Sequence, residues 1–194
     1  ERQARLAWKI NVQAEQEGFT PEGKNVYVDA RTGTPYRTTE SIHFFDVSGT
    51  VTSNASPGLN PDTTANPEQQ FPMKYARVTA GTATATTDAN GNFTLVGVNA
   101  PVSATFSYVG TFNNSLNAAG AEYTLTTTLN NPTGNVVAMN PAPTEAVTAQ
   151  ANAFRQVNVL RDFVRATNPS DSTADFVATA NVMVAGSCNA FYNG

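Results

Sequence analysis

The sequence has few of the residues that build redox centres, metal centres and charged surfaces. Its 194 residues include one cysteine, one histidine and one tryptophan, and charged residues make up only 13% of the chain. A single cysteine cannot form an internal disulfide, and a single histidine falls short of the set that a catalytic zinc site uses. Low charge, together with scarce leucine and lysine, excludes a charged disordered tail, a coiled coil and a helical bundle.

The sequence contains neither a cluster of basic residues nor a long apolar run. The 11 lysines and arginines are scattered and the net charge is −4, so we expect no binding to nucleic acid. No run of about 18 apolar residues occurs, so we expect no helix that spans a bilayer. The sequence also lacks a heptad repeat, a solenoid period and a phosphate-binding glycine pattern.

Small and polar residues dominate instead. Threonine, alanine and asparagine occupy 27, 28 and 21 positions, together 76 of the 194. Threonine suits strands, so we expect a β-rich, secreted protein whose exposed strand faces carry threonine and asparagine in place of charge. The chain begins at Glu1 with no signal-type apolar core after it, so we expect that an upstream segment has been removed.

A hairpin is predicted at the N-terminus, within residues 1–46. Apolar and polar residues alternate from Leu6 to Val12, a period of two that is typical of a strand with one buried face. A second strand over 26–28 ends at a turn that contains aspartate and glycine. We interpret the apolar stripe around Trp8 as core packing.

Residues 47–140 predict a two-sheet sandwich of about seven short strands. Short β runs recur at a spacing of about 8–12 residues, with turn clusters between them. The strongest turn is Asp88–Asn92, which contains an Asn-Gly step. Residues 53–72 hold several prolines and predict an irregular loop. The predicted fold is therefore mainly β: a hairpin, the sandwich, and then one long helix with short strands.

The long helix is predicted at the start of residues 141–194. Thr144 is a plausible N-cap with an acid after it, and Asn168 precedes a proline that ends the helix. Further strands are predicted over 176–184 and 188–194. Apolar residues at three- and four-residue steps form the predicted buried stripe of the helix: Val147, Ala151, Phe154, Val157, Leu160 and Val164.

Several polar residues are candidates for chemistry, and each has a plainer interpretation that we favour. His43 is either a hydrogen-bonded residue at a junction or a base whose formal nucleophile is Cys188 or a serine. Asp88–Asn92 is either a plain hairpin turn or the start of a calcium loop that lacks its later glutamate. Asp171 and Asp175 are either loop acids or ligands.

The last segment, Asn189–Gly194, is the most informative one for function. It places two asparagines around two aromatic residues on a predicted strand and ends in glycine. Such a segment is either a plain edge strand or an exposed edge that binds an extended peptide as an added strand. Cys188, just before it, is either a buried thiol or half of a bridge to a cysteine outside these residues.

Several segments, taken in order, resemble parts of one family of precursors, the secreted zinc metallopeptidases of the thermolysin and fungalysin type. Asn189–Gly194 resembles the strand that lines the substrate cleft, and residues 151–164 resemble the first helix of the catalytic domain. Residues 1–46 are similar to the C-terminal hairpin of a PepSY-like propeptide. Residues 47–140 resemble a prealbumin-like or carboxypeptidase-regulatory insert, an immunoglobulin-like sandwich. Residues 141–194 then correspond to the start of the catalytic lobe.

The resemblance implies a substrate site whose catalytic part is absent. By resemblance, Asn189 and Ala190 bond the substrate backbone, Tyr192 lies beside them, and Cys188 bridges to a cysteine just beyond Gly194. The His-Glu-x-x-His motif of the family does not occur in the sequence. We therefore expect no catalytic or metal-ligating residue here, and zinc only in the full-length enzyme. The implied partners are the remainder of the catalytic domain and an extended peptide substrate.

Other function classes remain open. Low charge and threonine-rich strands also suit a non-catalytic surface, adhesive or filament subunit that self-associates through sheet edges. A third hypothesis is a free protease inhibitor whose N-terminal hairpin occupies the cleft of another enzyme. Regular polymers of the isolated chain would favour the second class. Recombination of a monomer with a zinc-bearing fragment would favour the peptidase.

Overall fold

The fold is mainly β with one long helix, as the sequence predicts. The computed structural model describes residues 6–14, 22–41, 45–58 and 60–186. Across these residues the chain forms thirteen strands and one helix. It divides into two compact units, Glu1–Phe44 and Phe45–Gly194.

The first unit is an antiparallel sheet in the order β1-β2-β3. Its strands are β1 (Ala7–Ala14), β2 (Glu22–Asp29) and β3 (Pro35–Glu40). The predicted hairpin is present as β1 and β2, and a third strand that the prediction lacked follows the turn. Asp29 fixes this turn, because its Oδ1 accepts the backbone N–H groups of Arg31 at 2.9 Å and Thr32 at 3.0 Å.

The apolar stripe of β1 is exposed, so its prediction as buried core is wrong. The fractions exposed are 82% for Leu6, 68% for Trp8, 48% for Ile10 and 53% for Val12. The described part of this unit is a single layer of three strands. A sheet face is buried only where a second layer covers it, and no described element of this unit provides that layer.

The second unit contains two sheets. The first has the order β12-β4-β5, with β8 also paired to β4, and it consists of β4 (Val47–Ala55), β5 (Gln69–Pro72), β8 (Asn92–Leu95) and β12 (Asn135–Met139). The second has the order β13-β10-β9-β6-β7, with β11 also paired to β9. Its strands are β6 (Ala76–Ala80), β7 (Ala83–Thr86), β9 (Val102–Gly110), β10 (Asn113–Asn117), β11 (Thr124–Leu129) and β13 (Ala178–Val182).

The two sheets pack face to face around one apolar core. Alternation drives this arrangement: in β9, Ala104, Phe106 and Tyr108 are buried while the residues between them are not. The ring of Phe106 meets that of Phe93 in the other sheet edge-to-face, with centroids 5.9 Å apart. The Tyr108 hydroxyl reaches Ser53 of β4 at 2.8 Å, so a buried hydrogen bond also joins the sheets.

The helix α1 (Glu145–Thr167) begins and ends where the sequence predicts. Thr144 holds the N-cap position, although its side chain makes no capping hydrogen bond. The prediction for Leu160 is wrong: this side chain is 61% exposed, whereas Phe154 and Asn158 are 1% exposed. Successive residues turn by about 100° around a helix, so Leu160, two positions after Asn158, lies on the far side.

The predicted loop over 53–72 is partly wrong. β4 continues to Ala55 and β5 begins at Gln69, so strands enter the predicted loop from both ends. Antiparallel pairing of Ala55 with Gln69 and of Thr52 with Pro72 defines this part of the sheet. β5 pairs only with β4 among the described strands, and it lies beside α1 at the edge of the sandwich.

Candidate functional site

The residues predicted to bind substrate lie outside the part of the chain that the structure describes. They all fall in the closing segment, residues 187–194: Cys188, Asn189, Ala190 and Tyr192. His43 also lies outside the described residues. Their predicted roles stay predictions. The described residues define the elements that precede the closing segment.

The closing segment follows an edge strand of the second unit. β13 runs parallel to β10, with Ala178 opposite Asn113 and Val182 opposite Asn117. It pairs with no other strand within 60–186 or the earlier described ranges. The Ala118 N–H continues the ladder by donating to the Val182 carbonyl at 2.9 Å. Helix α1 and β13 are therefore fixed to the sandwich before the closing segment begins.

The N-terminal half of α1 is anchored by an aromatic contact with the sandwich. The Phe154 ring lies 6.1 Å from the Tyr108 ring, centroid to centroid. Gly110 makes this approach feasible, because a Cβ at that position would overlap the Tyr75 carbonyl oxygen and lie 3.0 Å from Phe154 Cζ. A glycine is thus required where the helix crosses the end of β9.

The C-terminal half of α1 is held by polar contacts to the segment after β5. Asp162 accepts hydrogen bonds from Lys74 Nζ at 2.9 Å and from the Tyr75 hydroxyl at 2.8 Å. Burial acts to raise the pKa of Asp162, but the bonds from Lys74 and Tyr75 outweigh it and leave this pKa below its ordinary value. Asp162 is therefore an ionised anchor and not a proton donor.

A second acid ties the helix to the loop that follows it. Asp175 accepts from Arg161 Nε at 2.8 Å and from Arg165 at 2.5 Å. Its pKa is lowered, because these bonds outweigh the effect of desolvation. The Arg161 guanidinium also lies 4.2 Å from the centre of the Phe112 ring. This contact fixes the arginine that holds the loop.

The other acids considered as ligands are engaged in their own turns. Asp88 Oδ1 accepts the N–H groups of Asn90 and Asn92, both at 2.8 Å, and its Oδ2 accepts from the Asn92 side chain at 2.9 Å. These bonds lower the pKa of Asp88. Asp171 accepts from the Thr173 backbone at 2.9 Å and from its hydroxyl at 2.6 Å. Both acids thus stabilise local backbone. The first forms the predicted tight turn, but its prediction as a hairpin is wrong, because β7 and β8 on either side of it belong to different sheets.

A cavity of about 170 Å³ lies between α1 and the end of β5. Its described lining is mostly apolar and aromatic, with three polar side chains: Phe71, Pro72, Met73, Lys74, Phe154, Arg155, Asn158 and Val159. Phe154 and Met73 are each 1% exposed, whereas Val159 is 38% exposed. The cavity therefore has a buried apolar interior and a partly open side along the helix.

Two polar side chains of this cavity have unused hydrogen-bonding groups. Asn158 Nδ2 donates to the carbonyls of Lys74 at 3.2 Å and Phe154 at 3.0 Å, while its buried Oδ1 meets no donor among the described residues. Those two carbonyls fix the amide orientation. The Arg155 guanidinium lies 3.8 Å from the centre of the Phe71 ring and bonds no described acceptor.

Sequence reasoning did not find this cavity. Arg155 is off the predicted apolar stripe, and Asn158 interrupts it. Both lie in the segment that resembles the first catalytic helix, but the resemblance implies no role for either. Phe71 lies in the stretch predicted to be a loop. The cavity depends on a contact between residues 84 positions apart, the bond from the Asn158 amide to the Lys74 carbonyl, and no local pattern encodes such a contact.

Comparisons with known proteins identify no relative. No family model, no curated protein and no solved structure matches the chain. Among the described residues, no helix combines the length and the apolar character needed to cross a membrane.

Proposed function

We propose that this chain is a segment of the precursor of a secreted zinc metalloendopeptidase and carries its substrate-binding edge strand. In this proposal Asn189 and Ala190 bind the backbone of an extended peptide, Tyr192 lies beside them, and Cys188 bridges to a cysteine outside the chain. The observation that carries the proposal is the sequence Asn-Ala-Phe-Tyr-Asn-Gly at Asn189–Gly194. It follows α1 and β13 in the order expected of the family.

The architecture supports this order of parts. The first 44 residues form a compact unit of their own, as expected for the end of a propeptide. The residues that resemble the first catalytic helix, 151–164, lie wholly inside α1. That helix is bound to the sandwich through Phe154 and Asp162 and to the loop after it through Asp175, so the chain enters the closing segment from a fixed support.

The chemistry assigned to the chain is binding and orientation of a peptide. An extended peptide that pairs with a strand edge has its backbone fixed by hydrogen bonds, and alternate side chains then point to either side. Such fixation presents one peptide bond to the catalytic groups in a constant position. Asn189 and Ala190 supply this function through their backbone and amide groups.

The described residues do not form a zinc site. The described ones contain no group of three or more histidine, cysteine, aspartate or glutamate side chains close enough to hold a metal ion. The whole sequence contains one histidine. In this proposal the zinc ligands and the general base belong to sequence outside these 194 residues, and we expect the isolated chain to bind no zinc stoichiometrically.

The proposal is tested by recombination. We expect the 194-residue chain, mixed with a separately made fragment that carries the zinc-binding sequence, to restore cleavage of casein, whereas neither part alone cleaves it. Asn189→Ala should reduce the restored activity, and the exposed Arg77→Gln should not. Full activity of the zinc-bearing fragment without this chain would contradict the proposal.

The self-associating surface subunit remains a second candidate, favoured by the exposed apolar stripe of β1. Four large apolar side chains on one strand face are about half exposed or more, and such patches mark interaction surfaces. Light scattering separates the two functions. Regular polymers that dissolve in the Trp8→Ser variant would favour the surface subunit, whereas a monomer would favour the precursor segment.

A further inference from the structure

The cavity between α1 and β5 has the chemistry of a ligand site. Its interior is built by Phe71, Met73 and Phe154, and its volume of about 170 Å³ is enough for one aromatic side chain. A cavity on the order of 150 Å³ lined by apolar side chains holds a benzene ring. The size therefore matches a single phenylalanine or leucine side chain.

The two unused polar groups of the cavity define what else the ligand carries. Asn158 Oδ1 is a buried acceptor without a donor, and such a group is costly unless a partner fills it. A ligand N–H group would supply the missing donor. Because the Asn158 amide nitrogen is already committed to two backbone carbonyls, the oxygen is the atom left for a ligand. This oxygen is fully covered in the chain without a ligand, so binding requires the side chains around it to shift.

The Arg155 guanidinium selects an anion. The flat face of this group lies over the Phe71 ring. Its N–H groups, which can bind a carboxylate in pairs, have no acceptor among the described residues. The neighbouring cation, Lys74, is already paired with Asp162 at 2.9 Å. Arg155 is therefore the cation of the cavity that remains available for a ligand carboxylate.

Arg155 and Asn158 are near enough to contact one small ligand. They are three residues apart on α1, so their Cβ atoms are about 5–6 Å apart on the same side of the helix. The N–H and the carboxylate of one amino-acid residue lie closer together than this, and the long arginine side chain has the reach to cover the difference. We propose that the cavity binds the C-terminal residue of a peptide that ends in phenylalanine or leucine. Arg155 takes the terminal carboxylate, Asn158 Oδ1 takes the N–H of that residue, and the cavity takes its side chain.

Four probes test this site in the intact 194-residue chain. They are acetyl-Ala-Ala-Phe with a free carboxylate, the same peptide amidated, acetyl-Ala-Ala-Ala with a free carboxylate, and free phenylalanine. Binding is followed by NMR titration of the Asn158 side-chain amide. We expect the first probe to bind about tenfold more tightly than the amide and the alanine peptide, because each of these lacks one recognised feature. Free phenylalanine should also bind about tenfold more weakly, because its charged ammonium group must be desolvated beside an apolar cavity.

A matched pair of variants identifies the anion site. Arg155→Gln should weaken the first probe about tenfold and abolish the preference for the carboxylate over the amide, whereas Arg77→Gln, at an exposed arginine of β6, should change neither. Thermal melts monitored by circular dichroism check that both variants fold. The comparison between the acid and the amide probes uses the unaltered chain, so it tests the anion site even if a variant fails to fold.

Several results would overturn the proposal. Equal binding of the acid and the amide would indicate recognition of the backbone alone, as at an edge strand. Equal binding of free phenylalanine would make the ligand a small metabolite and not a peptide end. Binding without a shift of the Asn158 amide, no binding of any probe, or unchanged binding in Arg155→Gln would each exclude this cavity as the site.

Discussion

At the scale of single residues, two aspartates hold the C-terminal end of α1 in place. Asp162 is on the helix, and Asp175 is in the loop that follows it. Asp162 is bonded by Lys74 and Tyr75, and Asp175 by Arg161 and Arg165. The side chain of Asp162 is 24% exposed, so its ion pair is partly screened by solvent. These contacts therefore contribute modestly to stability and fix the position of the helix end.

Asp162→Asn tests this role through its pH dependence. At pH 7 we expect the free energy of unfolding to fall by about 1 kcal/mol. Because the folded-state pKa of Asp162 lies below its ordinary value, the contribution is complete above the unfolded pKa and is lost as the pH falls below about 4. Urea unfolding at pH 7 and pH 3 measures this.

The control for that experiment is Glu122→Gln, at an exposed carboxylate. It should leave the difference in stability between pH 7 and pH 3 unchanged. A constant gap between the unaltered chain and Asp162→Asn at both pH values would show that the aspartate contributes through packing and not through its charge.

Gly110 is the residue at which the sandwich and the helix come closest. A methyl group there overlaps the Tyr75 carbonyl oxygen and presses on the Phe154 ring. Gly110→Ala should therefore lower the free energy of unfolding by about 2 kcal/mol or more. Gly120→Ala is the matched control, because its nearest neighbour lies at 3.5 Å, and it should change stability by less than about 0.5 kcal/mol. Equal effects would refute the close contact.

At the scale of elements, the orientation of α1 decides which of its apolar residues support the fold. Phe154 is buried against Tyr108, whereas Leu160 is 61% exposed. We expect Phe154→Ala to cost about 3–5 kcal/mol and Leu160→Ala to cost less than about 0.5 kcal/mol. Chemical denaturation of both variants measures this, and a large cost for Leu160→Ala would mean that the helix is rotated.

Local sequence signals found most elements but not how they face one another. The ends of α1 were predictable because Thr144 and Asn168 are strong boundary residues. Its buried face was predictable only in part. Ala151 and Phe154 of the predicted stripe are buried, whereas Leu160 is exposed, and Asn158 is buried beside the carbonyl of Lys74, far away in sequence. The short strands β3, β5 and β10 were missed, since polar or proline-containing sequences such as Gln69–Pro72 become strands only beside a longer partner.

The candidate functional residues, too, were predictable only where they form a contiguous motif. Asn189–Gly194 was found because it is a contiguous motif, and its role stays a prediction. The cavity was not found, because Phe71, Arg155 and Asn158 carry no common pattern and meet only after β5 packs beside α1.

At the scale of the whole molecule, the two compact units predict independent folding of the larger one. Residues 45–194 contain both sheets of the sandwich, its core and α1. We expect this fragment, made alone, to keep a β-rich circular dichroism spectrum and to melt cooperatively within a few degrees of the same transition in the full chain. A fragment that stays unfolded would show that the first unit is required for the fold of the second.

The most direct test of the peptidase-precursor proposal is the coding sequence downstream of codon 194. We expect an open reading frame that continues past Gly194, with a cysteine nearby to pair with Cys188 and a His-Glu-x-x-His motif shortly after it. A stop codon directly after Gly194, or a continuation without that motif, would contradict the assignment of Asn189–Gly194 to a peptidase cleft.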